Sequence, residues 1–339
     1  MNDRIPESPP IIAPISMAAS RPLFSVMIPA YNCLPYLKKT IESVLVQDMG
    51  PEKMQIEVVD DFSYDGDVKK LVEEVGKGRV LFFQQPQNRG SLRNFETCLN
   101  RASGHYVHLL HGDDLVKPGF YQEIETLFTA YPTIGAAITN YNWVNEKEEE
   151  SKCNDELLPS PGIIDDWLYK IASRQRLQPP AVVVKRSVYE NLGSFFAVHY
   201  GEDWEMWVRI AAHYPVAYSP KCLATYRGGH STNISSQAVL SGQNITDLKK
   251  VIEIIQAYLP VEKRQKIKND SLKNYSISFS NSAYRVYTKN RDKQTAAQLM
   301  KGALKLHINP YTLYNLARLQ WARLTHTITK KNQEQGTQE

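Results

Sequence analysis

Leu23-Phe24-Ser25-Val26-Met27-Ile28-Pro29 is a β-rich apolar run cut off by a proline, and the residues after it change period. From Tyr36 to Gln47 the apolar positions Leu37, Ile41, Val44 and Leu45 recur at helical spacing. The alternation continues outward. Ile56–Val59 reads as a second buried strand ending in Asp60-Asp61, Val68–Val75 as a helix, Val80–Phe83 as a strand and Leu92–Ala102 as a helix. Tyr106–Leu110 is a strand that runs into His111-Gly112-Asp113-Asp114, followed by a helix over Phe120–Tyr131 and a strand over Ile134–Tyr141. Strand–helix alternation of this kind predicts an α/β fold, a mostly parallel sheet with crossover helices.

After residue 145 the pattern changes. Residues 145–165 are acidic and contain proline, the signature of a surface loop. Trp167–Ala172 and Glu202–His213 have helical spacing, while Ala181–Lys185, Val216–Tyr218 and Cys222–Arg227 read as short strands. From Thr246 onward the sequence is helical, with breaks near Pro260 and at Asn309-Pro310.

The chain has 339 residues, 42% hydrophobic and 22% charged, with a formal net charge of +4. So small a charge gives no case for nucleic-acid binding, which needs a concentrated basic face. Cys33, Cys98, Cys153 and Cys222 lie far apart with no C-x-x-C pair, so neither zinc nor a disulfide is expected. Reduced thiols in a cytoplasmic protein are the plain reading. No window approaches the roughly 18 apolar residues of a membrane span. Ile11-Ile12-Ala13 is too short and too hemmed in by Pro9, Pro10 and Pro14 to be a signal-peptide core, and residues 1–20 read as a disordered leader.

In an open α/β sheet, ligands bind beyond the carboxyl ends of the strands. Here those ends carry Asp60-Asp61 and Asp113-Asp114. Paired carboxylates repel a phosphate but hold a hard divalent cation, which in turn bridges a diphosphate. An acidic turn is the bland alternative for either pair alone; two pairs at two strand ends favour the metal–diphosphate reading.

These residues resemble glycosyltransferase family 2, the inverting enzymes on a GT-A fold. Val26-Met27-Ile28-Pro29-Ala30-Tyr31-Asn32 is similar to the family's first-strand signature, and Val58-Val59-Asp60-Asp61-Phe62-Ser63-Tyr64-Asp65 to its Val-Asp-Asp-x-Ser-x-Asp segment. Asn88-Arg89-Gly90 and Gly104-His105-Tyr106 match the marks around the third helix. His111-Gly112-Asp113-Asp114 occupies the place of the metal motif. Gly201-Glu202-Asp203 resembles the segment carrying the catalytic base, and Tyr226-Arg227-Gly228-Gly229-His230 the mark that closes the catalytic domain. The matches run in family order over residues 23–235.

The resemblance implies a role for each position. Pro29, Tyr31 and Asp61 would hold the nucleotide base, and Asp113 would contact the ribose or share the metal. Asp114 would be the principal ligand of Mg2+ or Mn2+. Asp203 would be the general base. Arg227 and His230 would neutralise the diphosphate or order the closing loop. The pattern departs at His111, where the family often has Asp; a lone His is more often structural, so His111 stays outside the expected ligand set. The implied donor is a nucleotide sugar, a uridine diphosphate sugar by family frequency, and the acceptor a glycan or lipid-linked hydroxyl. A non-catalytic nucleotide-sugar-binding module is the runner-up, set apart by Asp114 and Asp203. A nicotinamide-dependent dehydrogenase needs Gly-x-Gly-x-x-Gly after the first strand, and Pro29-Ala30-Tyr31-Asn32 stands there instead.

Two features leave alternatives open. Trp204 and Trp207 flank Asp203; helical spacing puts Trp207 in the core, while Trp204 is as compatible with an acceptor site as with packing. Tyr311–Leu324 is amphipathic, with Leu313, Leu316, Ala317 and Leu324 on its apolar side. It would either lie on an anionic membrane surface, with peripheral attachment at the inner face, or pack in a small bundle. The need of the preceding helices for a partner favours packing. The expected organisation is a leader over 1–20, a GT-A catalytic domain over 21–236, a helical extension over 237–325 and a polar tail over 326–339.

Overall fold

β1 (Phe24–Ala30) is buried along its whole length and has a parallel strand on each side. The structure is a computed structural model that describes residues 4–16, 20–228 and 234–335, with 234–237 and 326–335 as backbone alone. It divides into two units: the first takes in the chain to Ile171 and then Gln175–Asn233, the second Ala172–Arg174 and the residues from Ile234 onward.

The first unit contains, in order, β1, α1 (Leu34–Leu45), β2 (Met54–Asp60), α2 (Val68–Gly76), β3 (Leu81–Gln84), α3 (Ser91–Arg101), β4 (Tyr106–Leu109), β5 (Leu115–Val116), α4 (Phe120–Ala130) and β6 (Ala136–Val144). β7 (Gly162–Ile163), α5 (Trp167–Ser173), β8 (Val182–Lys185), α6 (Arg186–Leu192), α7 (Glu202–His213) and β9 (Val216–Arg227) follow, with the end of α5 falling to the other unit. The sheet order is β3-β2-β1-β4-β8-β6-β9-β5, with β7 on β9. β3, β2, β1 and β4 are parallel, as the alternation predicts, whereas β8 pairs antiparallel with both β4 and β6. β2, β1 and β4, neighbours in that order, therefore end on one edge, with the acidic loops after β2 and β4 on either side of the loop after β1.

β1 runs past the proline expected to stop it. Its pairing with β4 ends at Met27↔Leu109, so Pro29 needs no partner for a missing N–H on that side, while its carbonyl accepts from the Gly112 amide at 3.1 Å. The two short strands expected over 216–227 are one strand. Ser219-Pro220-Lys221 is absorbed as a bulge, since Ser219 faces Thr139 and Cys222 already faces Asn140.

Residues 4–16 are not a disordered leader. Pro6 and Pro10 carbonyls accept from the Ala197 and Ser194 amides at 2.9 and 2.8 Å, and the Ile12 side chain is fully buried. The prolines carry no N–H of their own and present carbonyls, two of which pair with the 193–197 loop. The expectation of four reduced thiols also fails at one place: Cys153 and Cys222 form a disulfide with Cα atoms 6.2 Å apart, brought together across 69 residues by the loop after β6 folding back on β9. Cys33 and Cys98 are free.

The second unit holds α8 (Ile234–Ser241), α9 (Gln243–Ile255), α10 (Val261–Asn290), α11 (Lys293–Leu306) and α12 (Pro310–Gln335). α11 and α12 both pack on the long α10. α12 continues to Gln335 through the expected polar tail, where no glycine or proline interrupts it. No described helix is long and apolar enough to cross a membrane.

Candidate active site

The loops after β1 and β2 lock into each other. The Asn32 amide donates to Ser63 Oγ at 2.9 Å, the Tyr64 amide to Asn32 Oδ1 at 3.0 Å, and the Leu34 amide to Asp65 Oδ2 at 2.9 Å. Asp60 accepts from Ser63 Oγ at 2.5 Å and from Gln84 Nε2 at 2.9 Å, closing the turn from within. The polar residues of both motifs thus shape the loops and leave Tyr31 presented at the surface, 44% exposed and edge-on to Tyr64.

Asp61 is buried, and the 88–90 turn is built around its carboxylate. Asn88 Nδ2 donates at 2.7 Å, and the amides of Arg89 and Gly90 at 2.7 and 2.8 Å. Burial pushes this carboxyl up, and the two amides pull it partly back. Gly90 is the N-cap of α3 at φ 89°, a left-handed conformation that favours glycine. Sequence reasoning missed a residue here. Arg4, on the N-terminal strap, donates to Asn88 Oδ1, and its Nε lies 3.0 Å from where a Cβ on residue 90 would stand. Nothing in the sequence links position 4 to position 88; only the course of the strap does.

Past β4, the chain turns sharply. The Gly112 amide bonds to Pro29, the Asp114 amide to the His111 carbonyl at 3.0 Å, and a Cβ on Gly112 would stand 2.7 Å from Cys33 Sγ. His111, Asp113 and Asp114 thereby bring one ligand atom each to within 4.8 Å of one another. His111 stacks on Phe95 with ring centroids 5.2 Å apart, and burial lowers its pKa, which keeps the imidazole neutral and able to ligate. The expected ligand set left it out, and the fold sets it beside the two carboxylates. Asp114 is fully buried; Oδ1 accepts from the Arg227 amide at 2.8 Å and Oδ2 has no hydrogen-bond partner. An orphaned buried carboxylate oxygen is costly unless a cation or proton meets it. Two carboxylates and an imidazole suit Mg2+ or Mn2+, so the residues fit such an ion.

Arg227 is 1% exposed and fully occupied. Nε donates to the Asp113 carbonyl at 2.9 Å, NH1 to Glu148 Oε1 at 2.8 Å, and the guanidinium lies 4.6 Å from the Tyr36 ring centroid. Of the two roles expected of it, ordering the loop matches this geometry; the guanidinium is turned toward protein. His230 lies outside the described residues.

Asp203 begins α7. Gly201 caps that helix at φ 90°, and Glu202, Asp203 and Glu205 fill its first turn. Asp203 Oδ1 accepts from the Trp204 amide at 2.7 Å and Oδ2 from Gln175 Nε2 at 2.5 Å. Burial pushes its carboxyl up to about 6 in spite of these donors and the helix N-terminus. A carboxylate of that pKa is poised to take a proton near neutrality. Of the neighbouring acids, Glu205 is fully buried against Arg209 at 3.0 Å, which spends it on structure. Trp204, left open above, is fully buried with Nε1 on the Ile171 carbonyl at 2.7 Å, so both tryptophans are core.

Residues 25–193 match the family model described as glycosyl transferase family 2. The chain belongs to that family. It is 26% identical over 249 residues to an uncharacterized glycosyltransferase of Haemophilus influenzae, covering 70% of this chain and 75% of that protein. Among solved structures, S. aureus TarS 1-349 in complex with UDP-GlcNAc superposes with a TM-score of 0.63 at 16% identity, covering 91% of this chain and 92% of that one. A mannosyltransferase from Pyrobaculum calidifontis, in complex with GDP-Man and Mn2+, gives 0.53 at 18% identity over 94% of this chain and 89% of its own. The family 2 chain is a glycosyltransferase, and its first unit has the GT-A fold.

Proposed function

We propose that the chain moves a sugar from a nucleotide diphosphate sugar to an acceptor hydroxyl with inversion, assisted by Mg2+ or Mn2+. The observation that carries this is Asp203, a half-buried carboxylate at a helix N-terminus with its pKa pushed up to about 6 and oriented by Gln175. The acceptor hydroxyl gives its proton to Asp203 and attacks the anomeric carbon from the face opposite the diphosphate. The C–O bond to the diphosphate breaks, and its electron pair leaves with the nucleoside diphosphate. Attack from the opposite face inverts the centre. The divalent ion, when bound by Asp114, Asp113 and His111, supplies charge balance to the leaving group. Tyr31, with Pro29 beside it, offers a ring face to the base, and Asp61 holds the 88–90 turn next to it in place.

The donor is proposed to be a uridine diphosphate sugar and the acceptor a growing glycan or a lipid-linked one at the inner face of the membrane, in polysaccharide or glycoconjugate synthesis. The UDP-GlcNAc bound to TarS supports a uridine nucleotide, and the Mn2+ bound to the mannosyltransferase supports the ion. A thermal-shift panel of nucleotide sugars with and without Mn2+ tests the donor, since selective binding stabilises the fold by mass action. Anomeric proton couplings of the product test inversion. Retention of configuration would end the Asp203 mechanism.

A further inference from the structure

α12 packs with its polarity reversed. Its inward face buries Thr312, Asn315 and Leu319, with Asn315 Nδ2 donating to Ser280 Oγ at 3.0 Å and to Asn281 Oδ1 at 2.9 Å on α10. Its outward face carries Tyr311, Leu313, Tyr314, Ala317, Trp321 and Leu324, all exposed. Trp321 is 71% exposed and Leu324 60%. The apolar side expected to pack is mostly the side that faces out. A helix on a water-soluble surface normally has the opposite arrangement, and contiguous exposed apolar groups mark a docking face.

Charge identifies the partner. From Lys293 to Gln333 the sequence has seven Lys and Arg and no Asp or Glu, more positive charge than the whole chain's net +4. Arg318 sits between the Tyr284 and Tyr314 rings, 3.9 and 5.3 Å from their centroids, at the border between the two faces of α12. A second copy of the chain would bring two such cationic stretches together, which like charge opposes. An anionic lipid surface answers both features: its headgroups meet the cations, and its interface accommodates tryptophan, tyrosine and leucine at the level of the acyl boundary.

We infer that α12 lies flat on an anionic bilayer through Tyr311, Leu313, Tyr314, Trp321 and Leu324, a peripheral attachment by a helix that does not span. α12 carries this surface whichever sugar the first unit transfers.

Sedimentation of the full chain with vesicles tests it. The chain is expected to bind vesicles of equimolar phosphatidylcholine and phosphatidylglycerol, to bind phosphatidylcholine alone far less, and to be released as salt screens the charge. Trp321→Glu with Leu324→Glu should lower the bound fraction on the order of tenfold. Both side chains are exposed, so circular dichroism should find the fold unchanged. Val261→Glu changes another exposed apolar residue of the same unit, 74% exposed, and should leave binding intact. Three results overturn the inference: no binding to the anionic vesicles, the same loss from Val261→Glu, or a dimer in velocity sedimentation that Trp321→Glu dissolves.

Discussion

The Arg227 amide donates to Asp114 Oδ1 at 2.8 Å and leaves Oδ2 of the same buried carboxylate unmatched. One bond fixes the direction in which the free oxygen points, and the guanidinium of Arg227 pins the Asp113 carbonyl in the same turn. The end of β9 thus orients the loop that follows β4. Asp114→Ala is therefore expected to abolish metal-dependent binding of a nucleoside diphosphate while the fold survives. Calorimetry with UDP and Mn2+ reads it, and undiminished metal-dependent affinity would remove Asp114 from the ligand set.

Ile12 decides whether the N-terminal strap matters. It is fully buried; the backbone before it is bonded to the 193–197 loop, and the Ala13 carbonyl after it accepts from Arg186 at 3.1 Å. Ile12→Ala should cost about 2–5 kcal/mol, the range for emptying a core site. A disordered leader would show no change in a urea titration. Arg4, at the far end of the strap, touches the turn that cradles Asp61, so Arg4→Ala should weaken metal-free UDP binding with little loss of stability.

Why was so much of the sheet legible, and the strap not? β1, β2 and β4 declare themselves by apolar runs, and the acids at their ends by type and place. The strap declares itself by nothing local. Pro9, Pro10 and Pro14 look the same in a loose leader as in an extended segment whose carbonyls find partners some 185 residues away. His111 was passed over because one histidine carries no signal until the Gly112 turn sets it beside two carboxylates. α12 misled for a different reason: periodicity identifies an apolar side but not whether that side meets protein. Asn315 found partners on Ser280 and Asn281 and Thr312 on Asn309, and the apolar side was left outward.

The Cys153–Cys222 bond closes a loop of 69 residues across β6 and β9. In the chain-entropy model a crosslink of that span contributes about 4 kcal/mol. Reduction should therefore lower the melting temperature of the wild-type chain and leave that of Cys153→Ser with Cys222→Ser unmoved. Thiol titration of the unfolded, unreduced chain should find Cys33 and Cys98 alone; four reactive thiols would refute the pairing.

Asp203 offers a test in which activity and stability move in opposite directions. Its folded pKa is raised to about 6 from 3.8 by burial, so the folded chain holds this proton more tightly than the unfolded chain. Its contribution to stability is full below 3.8 and is lost as pH rises through about 6, above which the buried charge weakens the fold. Asp203→Asn should then melt higher than wild type well above pH 6 and show no gain near pH 3.8. Transfer should respond the other way, falling roughly 10²-fold or more at neutral pH because Asn takes no proton, with donor affinity nearly unchanged. In the wild type, kcat/KM should fall on the acid side of about pH 6, where the base is protonated. Gln175 separates this mechanism from a mere helix cap. Its 2.5 Å bond favours the charged carboxylate, so Gln175→Leu should carry the acid limb to higher pH and restore the rate in alkali. An acid limb indifferent to both substitutions, with parental transfer by Asp203→Asn, would reassign Asp203 to capping and make Glu202 the next carboxylate to test.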